Sequence, residues 1–180
     1  MKILAISGSL RATSLNTAVL QAARRLAPAG VTIEIFEGIG NLPFFNPDLD
    51  GDRLPREVAG FRAAIGAADG LLISSPEYAR GVAGVMKNAL DWLVGSFEFP
   101  NKPVVLINTS PRATHALAAL TVTLETMSAR LVKHASITLL LLGTVNDAAS
   151  IAANAEFAAP LRSALERYVQ AIRTFAPDEA

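Results

Sequence analysis

Residues 2–16 read KILAISGSLRATSLN, and this stretch decides the fold. Lys2 to Ser7 is a short apolar run closed by Gly8, the pattern of a strand buried on both faces. From Ser14 the period changes. Leu15, Ala18, Val19, Ala22 and Leu26 fall at helical spacing, which predicts a helix over residues 14–26. A strand that turns into a helix through a glycine and several hydroxyls opens a βαβ unit.

The alternation continues outward from there. Val31 to Phe36 predicts a second strand, followed by a long connection, Glu37 to Arg53, rich in Gly, Pro, Asn and Asp. Pro55 suits the first turn of a helix with Val58, Phe61, Ile65 and Ala68 on one face. Gly70 to Ser74 reads as the third strand. Val85 to Val94 reads as the helix after it, with Met86, Ala89, Leu90 and Leu93 inward. A fourth strand follows at Pro103 to Thr109, a helix at Thr114 to Leu131 and a fifth strand at Ser136 to Leu142. Ala158 to Phe175 predicts a closing helix, and Pro177 to Ala180 a frayed end. Five near-continuous apolar strands alternating with helices predict a single α/β domain over residues 1–180, a three-layer, doubly wound parallel sheet. The common order for five such strands is 2-1-3-4-5, which opens a crevice beyond the carboxyl ends of strands 1 and 3.

Composition narrows the function. The chain has 180 residues, 51% of them hydrophobic, so a large core needs no metal or disulfide support. Cysteine is absent, which excludes disulfides, thiolate metal sites and a thiol nucleophile. Sixteen basic residues balance sixteen acidic ones. That balance argues against a nucleic-acid footprint and against a strongly acidic electron carrier. The first residues lack the arrangement of a signal peptide, and apolar runs such as Ile137 to Leu142 are too short to span a bilayer. The expected location is the cytoplasm, without a membrane partner.

The loop after strand 1 carries the clearest chemistry. Gly8 permits a sharp turn, and hydroxyls recur at Ser9, Thr13 and Ser14 before the helix begins. Unpaired N–H groups at a helix start suit an anion, to which Arg11, Ser9, Ser14 and Asn16 can add contacts. The plain alternative makes Ser14 an N-cap and Arg11 a solvated charge. No Gly-x-x-x-x-Gly-Lys or Gly-x-Gly-x-x-Gly is present, and Gly38-Ile39-Gly40 is turn chemistry, so a terminal monophosphate fits best. After strand 3, Ser75 to Gly84 is bracketed by Pro and Gly, with Glu77 and Tyr78 offering polar and aromatic edges to a flat ring. Trp92 reads as core.

Three separated motifs resemble the NADPH-dependent FMN reductase family, which includes chromate, quinone and azo-dye reductases. They are Gly8-Ser9-Leu10-Arg11 through Asn16, Leu42 to Asp48, and Pro76-Glu77-Tyr78 through Lys87 to Trp92. The likeness runs from residue 1 to about Ser110. It implies a flavodoxin-like fold, FMN as cofactor, NADPH or NADH as co-substrate, and a homodimer or homotetramer. By the same likeness Ser9, Arg11, Ser14 and Asn16, with Leu15 among them, hold the FMN phosphate. Pro76, Glu77, Tyr78 and the chain through Ala79 and Arg80 to Gly81 line the flavin ring, and Ser110 completes the cofactor set. Phe45 and Asn46 border the site or the partner subunit. Two departures stand out: Ala79 where the family commonly has Asn, and Ser110-Pro111-Arg112-Ala113-Thr114-His115 where it has a glycine-rich run.

The expected reaction passes a hydride from NAD(P)H through flavin N5 to a quinone or similar small acceptor, with no side chain assigned as acid or base. A flavodoxin-like electron carrier, an FMN-binding protein without turnover and a hydrolase are the competing readings. The hydrolase has only His115 and His134 to offer, and no Gly-x-Ser-x-Gly.

Overall fold

The computed structural model describes residues 1–141 and 147–175. Its centre is a parallel sheet of β1 (Lys2–Ser7), β2 (Thr32–Ile35), β3 (Gly70–Ser74), β6 (Pro103–Asn108) and β7 (Arg130–Leu131), in the order β2-β1-β3-β6-β7. The outermost position is completed by β8 (Ile137–Thr138), which also pairs with β6. Between β3 and β6 the chain forms a separate hairpin of β4 (Glu77–Tyr78) and β5 (Gly81–Val82). The helices are α1 (Leu15–Arg25), α2 (Arg56–Gly66), α3 (Gly84–Asp91), α4 (Thr114–Thr126), α5 (Ala148–Ala153) and α6 (Ala155–Phe175).

Alternate side chains of each central strand enter different cores. Ile3, Ala5, Leu72, Val105 and Ile107 pack with α1, α5 and α6 on one face. Leu4, Ile6, Leu71, Ile73, Val104 and Leu106 pack with α2, α3 and α4 on the other. This is why the strands are apolar throughout instead of alternating with polar residues. The two cores also put α1, which follows β1, and α3, which follows β3, on opposite faces, so the chain parts at the carboxyl ends of these neighbouring strands. Tyr168 pins the sheet from below: its buried hydroxyl lies 2.9 Å from the carbonyl of Leu71 and 2.8 Å from that of Pro103. Burial pushes its ionisation well above the usual tyrosine range.

Several element boundaries differ from the sequence reading. The helix expected to reach Leu131 stops at Thr126, and Leu131 lies in β7. Ser128 adopts a left-handed φ of 64°, and the N–H groups of Ser128 and Ala129 close back on Glu125 and Leu124. That is a Schellman ending with serine where glycine is usual, so the stop signal was not visible. The fifth strand is not the continuous run from Ser136. Ser136 Oγ accepts from Leu106 N at 3.1 Å, taking a ladder position that a backbone carbonyl would hold, and the pairing breaks into β7 and β8. The predicted end of that strand at Leu142, and residues 177–180, lie outside the described residues. The closing helix starts at Ala155, three residues early, where Asn154 Oδ1 accepts from Glu156 N at 2.9 Å. Helix α5 and the β4–β5 hairpin were not anticipated.

Candidate functional site

Beyond the carboxyl ends of β1, β3 and β6 lies an open cleft of about 630 Å³, within the range of small-molecule and cofactor sites. Three loops build it, each continuing a buried strand, so their positions are set by the rigid sheet. The loop after β1 brings Ser9, Arg11, Thr13, Ser14, Leu15 and Asn16; the loop after β3 brings Ser75, Pro76, Glu77 and Tyr78. Asn108 and the loop after β6 bring Thr109, Ser110, Arg112 and Ala113. The first two loops touch closely: Gly8 N donates to Ser74 O at 2.8 Å, and a Cβ on Gly8 would sit 2.3 Å from Ser75 Oγ. Any side chain at residue 8 therefore pushes these walls apart.

In the first loop Ser14 is the N-cap of α1, accepting from Thr17 N at 3.3 Å. The N–H groups of Leu15 and Asn16 open the helix without an intrahelical acceptor, on the cleft lining. Ser9 Oγ accepts from Arg11 N at 3.4 Å, curling the chain before the helix. Asn16 plays a part that its motif did not reveal. It is 7% exposed, and its Oδ1 accepts from Ser74 Oγ at 2.9 Å and Thr109 Oγ1 at 3.3 Å. One carbonyl thus joins the start of α1 to the ends of two strands, β3 and β6. With both partners donating, Nδ2 is the part of Asn16 left for the cleft, and it has no partner among the described residues.

The second loop is a tight hairpin. Register Glu77↔Val82 and Tyr78↔Gly81 leaves Ala79 and Arg80 as a two-residue turn, with φ of 50° and 59°. Such a turn asks for Asn-Gly, because left-handed backbone strains most other residues. Ala79, Arg80 and Gly81 lie off the cleft lining, unlike Pro76, Glu77 and Tyr78. Glu77 Oε2 accepts from Ala116 N at 2.9 Å, so it caps the first turn of α4 and fastens the hairpin to that helix. Replacing Ala79 with Asn is expected to raise the unfolding free energy by about 0.5–1 kcal/mol, read as a rise of about 2 °C in Tm. An unchanged or lower Tm in thermal denaturation overturns the strained-turn account.

The third loop folds on itself. Asn108 Nδ2 donates to Ser110 O at 2.7 Å, Ala113 N donates to the same carbonyl at 3.1 Å, and Arg112 N donates to Ser110 Oγ at 3.2 Å. Ser110, part of the predicted set, lines the cleft beside Arg112. Thr13, Ser75, Asn108, Thr109, Arg112 and Ala113 also line it and were not in that set. The available signal was position: each stands at or just beyond the carboxyl end of a central strand, or in the loop before α1. Phe45 and Asn46, by contrast, lie off the lining. Phe45 packs edge-on against Trp92 with ring centroids 5.0 Å apart, and Asn46 caps its own turn at Asp48. Trp92 is fully buried in the core, as its spacing predicted.

A family model described as NADPH-dependent FMN reductase matches residues 1–141. The chain belongs to that family. The FMN reductase family member described here is 44% identical over 112 residues to an NAD(P)H-dependent FMN reductase of Pseudomonas aeruginosa, covering 61% of this chain and 60% of that one. It is 42% identical over 113 residues to a 2-hydroxy-1,4-benzoquinone reductase of a Burkholderia species, covering 61% of each. The similar segment thus spans about three-fifths of these curated relatives. Among solved structures it resembles the flavoenzyme NAD(P)H:(acceptor) oxidoreductase FerB of Paracoccus denitrificans. That match has a TM-score of 0.79 and 27% identity, and covers 96% of this chain and 97% of that one.

The residues of this FMN reductase family member fit the group its family name implies. The unpartnered Nδ2 of Asn16, the opening N–H groups of α1 and Arg11 all belong to the cleft lining and are the donors and positive charge that a phosphate group requires. Pro76 and Tyr78 offer apolar surface at the middle. Neither His115 nor His134 supports a hydrolytic alternative: both are exposed, and neither imidazole is hydrogen-bonded to a serine among the described residues. No helix among the described residues is long and apolar enough to cross a membrane.

Proposed function

We propose that this chain is an FMN-containing, NAD(P)H-dependent oxidoreductase whose acceptor is a quinone or a similar small molecule. The observation that carries the reading is the cleft at the β1/β3 parting, lined by the opening N–H groups of α1, Asn16 and Arg11 and, beside them, by Pro76 and Tyr78. FMN held there would supply the redox chemistry, hydride transfer between the nicotinamide and the acceptor. The chain's own residues bind and orient. Ser9, Arg11, Ser14, Leu15 and Asn16 hold the phosphate. Pro76, Glu77, Tyr78 and Ser110 border the ring, and the backbone of residues 79–81 acts by shaping the hairpin. No acid or base is required of a side chain.

A homodimer or homotetramer is part of the proposal. Phe44 is 90% exposed although its neighbours are fastened: Pro43 O accepts from Trp92 Nε1 at 2.7 Å, and Phe45 N donates to Asn88 Oδ1 at 2.8 Å. A phenyl ring held out on an anchored loop favours burial against another subunit. The cytoplasm, where pyridine nucleotides are plentiful, is the proposed compartment.

The test is the visible spectrum after FMN addition and desalting, followed by anaerobic titration with NADPH and NADH. Retained flavin bleached directly to its two-electron form is the expected result. Loss of flavin on desalting, or retained flavin that neither nucleotide bleaches, overturns the proposal.

A further inference from the structure

The chain has four lysines, and one of them is held differently from the rest. Lys2, Lys87 and Lys133 each lie within 2.9 Å of a carboxylate oxygen, of Glu34, Asp91 and Glu125, with side chains 39%, 52% and 72% exposed. Lys102 is half-buried and in none of the ion pairs among the described residues. Its Nζ donates instead to the carbonyl of Ala68, just past the end of α2, at 2.7 Å. Its own N–H donates to Phe99 O at 3.0 Å and its carbonyl accepts from Arg130 N at 3.0 Å, so the side chain is anchored at both ends.

Lys102 stands in the wall of an open cavity of about 490 Å³, with Asp69, Glu98, Phe97, Pro100 and Pro103 around it. Lys102 and Asp69 immediately precede β6 and β3, so this cavity lies at the amino ends of the strands. The cleft at their carboxyl ends is a strand's length away, roughly 20 Å. Burial favours the neutral amine and holds Lys102 below its usual value of 10.5, although the charges of Asp69 and Glu98 pull the other way. A neutral amine can keep one N–H on Ala68 O and still present its lone pair. Such a lysine at a cavity wall has what covalent capture of a carbonyl compound requires.

We propose that Lys102 captures small neutral aldehydes as imines, at a site separate from the cleft and independent of the proposed function. Two carboxylates against one cation on the wall disfavour an anionic aldehyde, while Phe97, 98% exposed, and the two prolines accept an apolar body. Nζ adds to the carbonyl carbon, a C–N bond forms, a proton passes from nitrogen to oxygen, and the oxygen leaves as water. Counted from the ammonium, the product is an iminium of the same charge, and nothing is oxidised or reduced. Asp69 and Glu98 offset that charge, and the iminium N–H remains a donor for Ala68 O.

The experiment is reductive trapping of the full chain with propanal and cyanoborohydride near neutral pH. Labelling at each lysine is followed by digestion and mass spectrometry. Lys102 is expected to label about fivefold faster than any of the other three, reversing the order that exposure alone gives. Its rate should reach half its maximum at a lower pH than theirs. In denaturant the four should label alike. With glyoxylate, an anionic aldehyde, the lead of Lys102 should fall about threefold. Equal labelling of the four in the folded protein, or labelling in order of exposure, overturns the inference. So does a lead that survives denaturation, or one undiminished with glyoxylate.

Discussion

Arg62→Met is expected to lower the unfolding free energy by about 3 kcal/mol, the largest stability effect anticipated for a residue outside the apolar core. Arg62 is 9% exposed and meets Asp50 with two parallel bonds, Nη1 to Oδ1 at 2.9 Å and Nη2 to Oδ2 at 3.1 Å. Nε and Nη2 also donate to Trp92 O at 2.9 and 2.6 Å. One side chain on α2 therefore secures the long connection before it and the chain after α3. Gly95 completes the arrangement, because a Cβ there would lie 2.7 Å from Asp50 Oδ2. Methionine keeps most of the volume but leaves the Trp92 carbonyl without its side-chain donor and the Asp50 carboxylate with only Gly51 N. Chemical denaturation measures the loss, and a value under about 1 kcal/mol would show that water replaces the arginine at little cost.

The same pair sets a pH dependence. The hydrogen bond from Arg62 outweighs the opposing effect of burial and holds the Asp50 carboxyl below its usual value of 3.8. A depressed folded value means that the unfolded chain takes up the proton first. The contribution is thus fully present above 3.8 and is lost as pH falls through that value toward the folded one. Asp50→Asn should flatten the acid limb of the stability profile in that window and leave its neutral region nearly parallel to the wild type.

Asn16→Asp is expected to weaken FMN binding about 100-fold while changing riboflavin affinity far less. An aspartate has the same shape, and its oxygen still accepts from Ser74 Oγ and Thr109 Oγ1, so the strand ends stay joined. What changes is the atom left for the cleft: an N–H donor becomes an anionic oxygen beside the proposed phosphate. Fluorescence titration with the two flavins separates this effect from a general loss of structure. Equal losses for both would remove Asn16 from phosphate recognition and leave it a joint between strands. The prediction stands on the proposed FMN site.

The sequence made much of this legible. Helices α1, α2 and α3 and their ends bury the residues that their spacing nominated, Leu15 only partly, because an amphipathic face is written locally. The glycine and hydroxyls after β1 named that wall of the cleft, since the residues of one loop are contiguous in the chain. The broken fifth strand was hidden in a single serine, Ser136, whose hydroxyl substitutes for backbone only when β6 lies alongside. The hairpin turn was hidden because Ala79 and Arg80 carry no turn signal, and Glu77's pull on α4 is a contact across 39 residues.

By itself, the sequence determined the α/β alternation, the strand order with its crevice, and the family, all properties of periodicity and contiguous motifs. Only the tertiary structure decided which loop residues share the cleft, that Asn16 ties α1 to the ends of two strands, and that Arg62 carries the long connection. Those outcomes rest on distances between groups far apart in the chain, and one-dimensional spacing does not encode them.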